Sequence, residues 1–192
     1  MKKTPIFSDQ LTSEIGEAAH IILDANVFSS CLLCEGFVEL LLEIKQNTKC
    51  AYMTTEEVRF ELLRGANSLD TYNTMAAVID LLATVQRANF LERLKEFSFV
   101  MSTTNSNNKS YADFILMAYL YNFRLSGKMF LLTSDLKICP QFLDRVQIIT
   151  IEEDKSAEVR NFGLYTFNSE KFAKASEAIM SKSENKNYEG AV

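Results

Sequence analysis

The stretch HIILDANVF, residues 20–28, decides how the rest of the chain is interpreted. Residues 20–23 form a short apolar run with two isoleucines, which is typical of a buried strand. Asp24 follows this run directly and begins a turn, after which CLLCEGFVELLLEIKQN has the pattern of a helix. We therefore predict a strand, a turn and a helix, with one carboxylate at the carboxyl end of the strand.

The same alternation of strand and helix patterns continues along the chain. CAYMT, residues 50–54, is strand-like, and TEEVRFELLRG has the threonine cap, early glutamates and terminal glycine of a helix. Residues 70–96 carry apolar side chains at helical spacing. Three more strands are predicted at FSFVM (97–101), MFLLTS (129–134) and VQIIT (146–150), and a buried helix at SYADFILMAYLYNF (110–123).

Strands that alternate with helices pair in parallel through right-handed crossovers, with helices on both faces of the sheet. The sequence therefore predicts an α/β fold, a three-layer α/β/α domain around a parallel sheet of about five strands. Ligands of such sheets bind beyond the carboxyl ends of the strands, near the point where the strand order reverses. We place this domain at residues 20–150, between an N-terminal extension (1–19) and a C-terminal extension with a short helix and a frayed tail (151–192).

The composition narrows the possible functions. With 192 residues, 47% of them hydrophobic, the chain can bury one sizeable core. Its longest apolar runs are far below the roughly 18 residues of a membrane span, so we expect a cytoplasmic protein without a membrane partner. The net charge of −5 argues against a broad nucleic-acid surface and leaves local contacts at residues such as Arg64 and Lys109.

Four carboxylates lie on separate predicted elements, at positions expected to face inward. Asp24 and Asp135 follow apolar strands, Asp113 is in the first turn of the buried helix, and Glu61 is at the margin of an apolar helix face. If these groups converge, repulsion and desolvation raise their pKa values, and a divalent cation would compensate. All-oxygen ligands favour Mg²⁺ or Mn²⁺, so we predict these four residues as metal ligands and catalytic residues.

Each acid also has a purely structural interpretation. Ser110 and Asp113 form S-x-x-D, the pattern of a capping box. Asp24 could cap the following helix, and Asp135 could begin a turn. Glu57, one helical turn before Glu61, competes for the same role. These alternatives stay open at the level of the sequence.

Other polar residues near the acids have supporting roles in this interpretation. Asn26, Thr133 and Ser134 could orient the carboxylates or a metal-bound water. Phosphodiester hydrolysis by one or two Mg²⁺ ions needs no histidine, whereas a histidine-based ribonuclease needs an acid and a base. His20 is the single histidine of the chain, which favours the metal-dependent chemistry.

In four places the sequence resembles the PIN-domain nucleases, including the VapC-type toxins. The resemblance rests on IILDANVF, ELLRG, YADFILMAYL and LLTSDLKI, in this order over roughly residues 20–150. It implies a metal-dependent endoribonuclease that cleaves RNA, with the acids as metal ligands. Such an enzyme would be the toxin of a toxin–antitoxin pair, with an antitoxin protein as partner, or an RNA-processing nuclease.

Two other functions compete with this assignment. The first is a Mg²⁺-dependent phosphoaspartyl hydrolase or receiver-like domain, which also begins with a strand that ends in Asp. Asn26 stands where phosphatases of that kind have a second Asp as general acid, which argues against it. The second is a non-catalytic PIN-like scaffold that binds RNA or a protein.

The C-terminal extension contains a narrow apolar stripe. Phe172, Ala175, Ser176 and Ile179 recur at helical spacing. We predict that this stripe binds a partner or forms a homodimer, and packing on the domain's own sheet is the equally weighted alternative.

Overall fold

The computed structural model describes Ile15 and residues 19–87, 110–124, 128–135, 142–152 and 158–189, without the side chains of 179, 180 and 182–189. The strands are β1 (His20–Leu23), β2 (Ala51–Thr55), β3 (Thr84–Gln86), β4 (Met129–Thr133), β5 (Leu143–Glu152) and β6 (Val159–Phe167). The helices are α1 (Ala25–Leu33), α2 (Glu35–Thr48), α3 (Glu56–Arg64), α4 (Leu69–Leu82), α5 (Tyr111–Phe123) and α6 (Ser169–Glu189). Within these ranges, no helix combines the length and the apolar character that crossing a membrane requires.

The strands form one mixed sheet in the order β3-β2-β1-β4-β6-β5. The pairs β3–β2, β2–β1 and β1–β4 are parallel, and β6 pairs antiparallel with both β4 and β5. The α/β class is thus confirmed. The predicted parallel sheet of about five strands is confirmed for β3, β2, β1 and β4 only, because the chain returns after β5 and inserts β6 antiparallel between β4 and β5.

The strand order reverses at β1. From β1 the chain proceeds to β2 and then β3 on one side, whereas β4 lies on the other side of β1. All of Ile21–Leu23 and Met129–Thr133 are buried, and since successive strand residues point to opposite faces, both faces of β1 and β4 are covered. The carboxyl ends of these two strands therefore meet at a switch point, where α/β proteins commonly bind ligands.

The segment predicted as a helix over residues 70–96 is divided in the structure. Helix α4 ends at Leu82, because Ala83 adopts an extended backbone. The next three residues, including Val85, form β3 and pair with β2. Pairing with an existing strand edge has overridden the helical spacing here. The predicted strand FSFVM (97–101) lies outside the described residues.

The predicted boundary at residue 150 falls inside β5, and β6 belongs to the same sheet. Phe172 of α6 is 4% exposed, and its ring centroid lies 4.9 Å from that of Tyr121 and 5.2 Å from that of Phe142. The aromatic residue of the predicted partner stripe thus packs on the domain's own core. The side chain of Ile179 lies outside the described residues, and of the N-terminal extension only Ile15 and Ala19 are described, both buried.

Candidate acidic site at the carboxyl ends of β1 and β4

Asp24 lies at the centre of the hydrogen-bond network at this edge. Its side chain is 5% exposed. Oδ1 accepts a hydrogen bond from the backbone N–H of Ala25 at 2.7 Å, so Asp24 is the N-cap of α1. Oδ2 accepts from Asn26 Nδ2 and from Thr133 Oγ1, both at 2.6 Å. The carboxylate is therefore held by donors from α1, which follows β1, and from the end of β4.

Thr133 and Asn26 form hydrogen bonds that connect the carboxyl ends of β1 and β4. Thr133 Oγ1 donates its one proton to Asp24 and accepts from Asn26 Nδ2 and from the backbone N–H of Asp135, each at 3.0 Å. This uses the full hydrogen-bonding capacity of a hydroxyl group. Asn26 Oδ1 accepts from the backbone N–H of Ser134 at 2.9 Å. The predicted supporting residues are thus in contact with Asp24 or its network, although Ser134 contributes its backbone in this bond.

Asp113 has two roles in the structure. Its Oδ2 accepts from the backbone N–H of Ser110 at 2.8 Å, and Ser110 Oγ accepts from the backbone N–H of Asp113 at 3.1 Å. This is the capping box that the S-x-x-D pattern predicts. The negative charge of Asp113 also acts on Asp24. The two carboxylates predicted to converge from β1 and α5 are therefore close enough for their charges to interact.

The environment of Asp24 favours its neutral form. Burial raises its pKa to about 6, and the charge of Asp113 adds to this, while hydrogen bonds from Thr133, Ala25 and Asn26 act in the opposite direction. None of the ion pairs found among the described residues includes Asp24 or Asp113. The pair of carboxylates consequently lacks a protein cation as counter-charge in the described part of the chain.

The other two predicted ligands, Glu61 and Asp135, are not among the groups whose charge acts on Asp24. Glu61 lines a cleft of about 460 Å³ between α3 and the start of α5, together with its competitor Glu57 and with Arg64. Neither glutamate is among the groups that shift the pKa of Asp24. Asp135 is exposed, and its charge acts on Tyr165, whose pKa is raised chiefly by burial and to a lesser extent by Asp135. Lys109, the other predicted substrate contact, lies outside the described residues.

Two aromatic residues of the cleft were missed at the sequence level. Phe60 and Tyr111 are 68% and 62% exposed, and both line the cleft. The available signal was a phenylalanine on the charged face of EEVRFELLRG and a tyrosine directly after the cap Ser110. Exposed large apolar side chains that line a concavity indicate a binding surface more often than isolated ones elsewhere on the surface do.

The predicted cage of four carboxylates is not formed by the described residues, which contain no group of three or more His, Cys, Asp or Glu side chains placed to hold a metal ion. Asp24 and Asp113 come together, whereas Glu61 belongs to the adjacent cleft. The four acids were correctly placed on their elements by the sequence, but the direction of each side chain depends on packing between those elements.

Comparison with known proteins assigns no family. No family model and no curated protein matches the chain. Among solved structures, a Streptococcus pneumoniae protein, Sp1610, described as a candidate tRNA (m1A22) methyltransferase, is similar with 14% sequence identity and a TM-score of 0.34. The similarity covers 85% of this chain and 71% of the other.

These findings correct the predicted metal-dependent endoribonuclease. The described residues lack the predicted acidic cage, and no family model or curated protein supports a nuclease. The assignments as a hydrolase and as a toxin are withdrawn with it. At a TM-score of 0.34, the likeness transfers no methyltransferase activity to this chain.

Proposed function

We propose that the edge formed by the carboxyl ends of β1 and β4 binds a divalent cation, Mg²⁺ or Mn²⁺, together with a phosphate-bearing ligand. One observation carries this proposal. Asp24, a carboxylate only 5% exposed at the switch point of the sheet, has the carboxylate of Asp113 as its charged neighbour. Buried charges are normally paired or coordinate metals, and this pair has no protein cation among the described ion pairs.

The available carboxylate oxygens suit a cation that keeps part of its water shell. Asp24 Oδ1 receives one hydrogen bond, from Ala25, and a carboxylate oxygen has two acceptor positions. Mg²⁺ usually keeps several waters and binds through one or two carboxylates plus the phosphates of a ligand. Asp24 and Asp113 would supply those carboxylates, so a closed protein cage is not required. The cation would neutralise their charge and hold a phosphate oxygen.

The phosphate-bearing ligand that we propose is RNA. The chain carries a net charge of −5, so a phosphate would approach this edge through a bound cation rather than through a basic surface. Arg64, in the adjacent cleft, offers one positive charge nearby. The resemblance to PIN domains supports RNA as a ligand, and membership of that family remains a proposal as well. An antitoxin-like partner and a homodimer remain predictions.

We also propose that the protein is an enzyme, without naming the reaction that it catalyses. A buried carboxylate with a perturbed pKa at a topological switch point is a common feature of active sites. Asp24 has both properties. The type of reaction is left open, since the hydrolase assignment has been withdrawn.

The test is a series of thermal melts of the full chain at pH 7.5, with Mn²⁺, Mg²⁺ or EDTA. We expect Mn²⁺ to raise Tm, and Asp24→Asn to abolish this rise, because the amide cannot act as an anionic ligand. Asp70→Asn, which neutralises an exposed aspartate in the first turn of α4, is the matched control and should respond to Mn²⁺ like the wild type. A Tm that ignores Mn²⁺, or a response that survives in Asp24→Asn, would contradict the proposal.

A further inference from the structure

The cleft beside the acidic edge has an unusual lining. It has a volume of about 460 Å³ and combines two aromatic side chains, Phe60 and Tyr111, with the guanidinium of Arg64 and three carboxylates, those of Glu57, Glu61 and Glu56, the last of which is paired with Arg87. The two residues are 68% and 62% exposed, so much of each side chain is accessible to a ligand. A concavity with accessible aromatic rings and a few polar groups is suited to a flat, polar ligand.

We propose that this cleft binds a nucleobase of single-stranded RNA, stacked on Phe60 and Tyr111, and that Glu57 makes it prefer guanine. The inference rests on the proposed function, because it supplies the base-binding part of the same ligand. Single-stranded RNA is recognised by stacking unpaired bases on aromatic side chains and by hydrogen bonds to their edges.

The position of Tyr111 connects the cleft to the acidic edge. Tyr111 lies in the same first helical turn as Asp113, whose charge acts on Asp24. Its ring stacks on that of Phe114, with centroids 6.4 Å apart and an interplanar angle of 17°, which holds the ring in place. A base in the cleft would therefore bring its own phosphate close to the proposed cation. Arg64 could contact a neighbouring phosphate.

Glu57 supplies the argument for guanine. Its Oε2 is buried and has no hydrogen-bond partner among the described residues, although Glu57 lines the cleft. A buried acceptor without a partner is costly, so a donor bound in the cleft would favour rotation of the Glu57 carboxylate toward it. Guanine presents N1–H and an N2 amino group side by side, which matches the two oxygens of a carboxylate. Cytosine and adenine place a ring-nitrogen acceptor beside their amino group, and uracil flanks its single N–H with two carbonyls.

The experiment measures fluorescence anisotropy of labelled pentaribonucleotides, UUGUU, UUAUU and UUIUU, with wild-type and variant full chains in Mn²⁺. Inosine keeps N1–H but lacks the N2 amino group. We expect UUGUU to bind most tightly, and Phe60→Ala or Tyr111→Ala to weaken its binding roughly 10- to 100-fold. The control is Tyr72→Ala, which removes a tyrosine of α4 that is 43% exposed and does not line the cleft.

The Glu57→Gln variant tests base selection. We expect it to remove the preference for UUGUU over UUAUU and UUIUU while binding of UUAUU is retained. The Mn²⁺-dependent rise in Tm, measured in parallel, should be unchanged. If Glu57→Gln loses this rise, Glu57 is a cation ligand, and the guanine assignment is overturned.

Two further outcomes separate this inference from the proposed function. If Phe60→Ala and Tyr111→Ala bind UUGUU like the wild type while Asp24→Asn does not, the cleft assignment fails and the cation site stands. If Mn²⁺ has no effect on Tm but the aromatic variants lose binding, the cation proposal fails and the base-binding cleft stands. Free GMP that binds as tightly as UUGUU would overturn the assignment to an RNA strand.

Discussion

The hydroxyl of Thr133 donates a hydrogen bond of 2.6 Å to Oδ2 of Asp24, across a separation of 109 residues in sequence. This bond joins the carboxyl ends of two parallel neighbours, β1 and β4, at the point where the strand order reverses. It also lowers the pKa of Asp24, against the larger effect of burial. One side chain therefore connects the sheet topology with the protonation of the central carboxylate.

Replacing Thr133 by Val should destabilise the protein at neutral pH. Val is similar in size but leaves Oδ2 of Asp24 without one donor, and Asn26 Nδ2 and the Asp135 N–H without one acceptor. We expect a loss of about 1–3 kcal/mol in the free energy of unfolding, measured by urea denaturation. Thr133→Ser keeps the hydroxyl and should lose less. Equal stabilities of the Val and Ser variants would show that the bond is not important for folding.

The stability of the metal-free protein should depend on the protonation of Asp24. Because its folded-state pKa is raised from 3.8 to about 6, the folded chain retains a proton that the unfolded chain has already lost between these pH values. Protonated Asp24 thus stabilises the folded state below pH 3.8. This stabilisation, about 3 kcal/mol in the free energy of unfolding, is lost as the pH rises to about 6. Urea denaturation in EDTA from pH 4 to 7 should show this decline relative to Asp24→Asn, which has no proton to lose. Parallel curves for the two proteins would refute the raised pKa.

The two roles of Asp113 can be separated with a pair of variants. Asp113→Asn keeps an oxygen that can accept from the Ser110 N–H, but it removes the charge beside Asp24. We expect a small change in the Tm of the metal-free protein and loss of the Mn²⁺-dependent rise. Ser110→Ala should show the reverse, with about 1 kcal/mol less stability and an intact response to Mn²⁺. A Mn²⁺ response in Asp113→Asn equal to that of the wild type would remove Asp113 from the proposed site.

Gly163 is required by packing beside the site. It pairs with Thr133 across β4 and β6, and a Cβ at this position would lie 2.6 Å from Tyr165 Cζ. Gly163→Ala should therefore displace a ring that is 6% exposed and cost about 1–3 kcal/mol. Gly36→Ala in α2, where a Cβ would meet nothing within 4 Å, should instead stabilise the protein by up to about 1 kcal/mol. Thermal melts of both variants are the measurement, and a Gly163→Ala protein as stable as the wild type would contradict the packing.

The sequence by itself determined the elements that position the site. The apolar run before Asp24, the buried helix around Asp113 and the apolar run before Asp135 all form at the predicted places, as does the capping box of Ser110. These features depend on local physics: side-chain periodicity fixes which face of an element is buried, and an S-x-x-D pattern satisfies free backbone groups at a helix start. Such signals are contained within about one or two turns of chain.

Only the tertiary structure decided how these elements meet. The antiparallel insertion of β6, the end of α4 before β3, and the place of Glu61 in a cleft beside α5 follow from contacts between distant segments. Periodicity predicts which face of a strand is buried. It does not predict which strand lies beside it or whether the two run parallel, because the backbone groups at any strand edge can pair with any other strand. The burial that raises the pKa of Asp24, and the hydrogen bond from Thr133 that partly opposes it, likewise exist only in the folded chain, since Thr133 lies more than a hundred residues away in sequence. Local sequence therefore placed the acids on their elements, and long-range packing brought the charge of Asp113 to bear on Asp24.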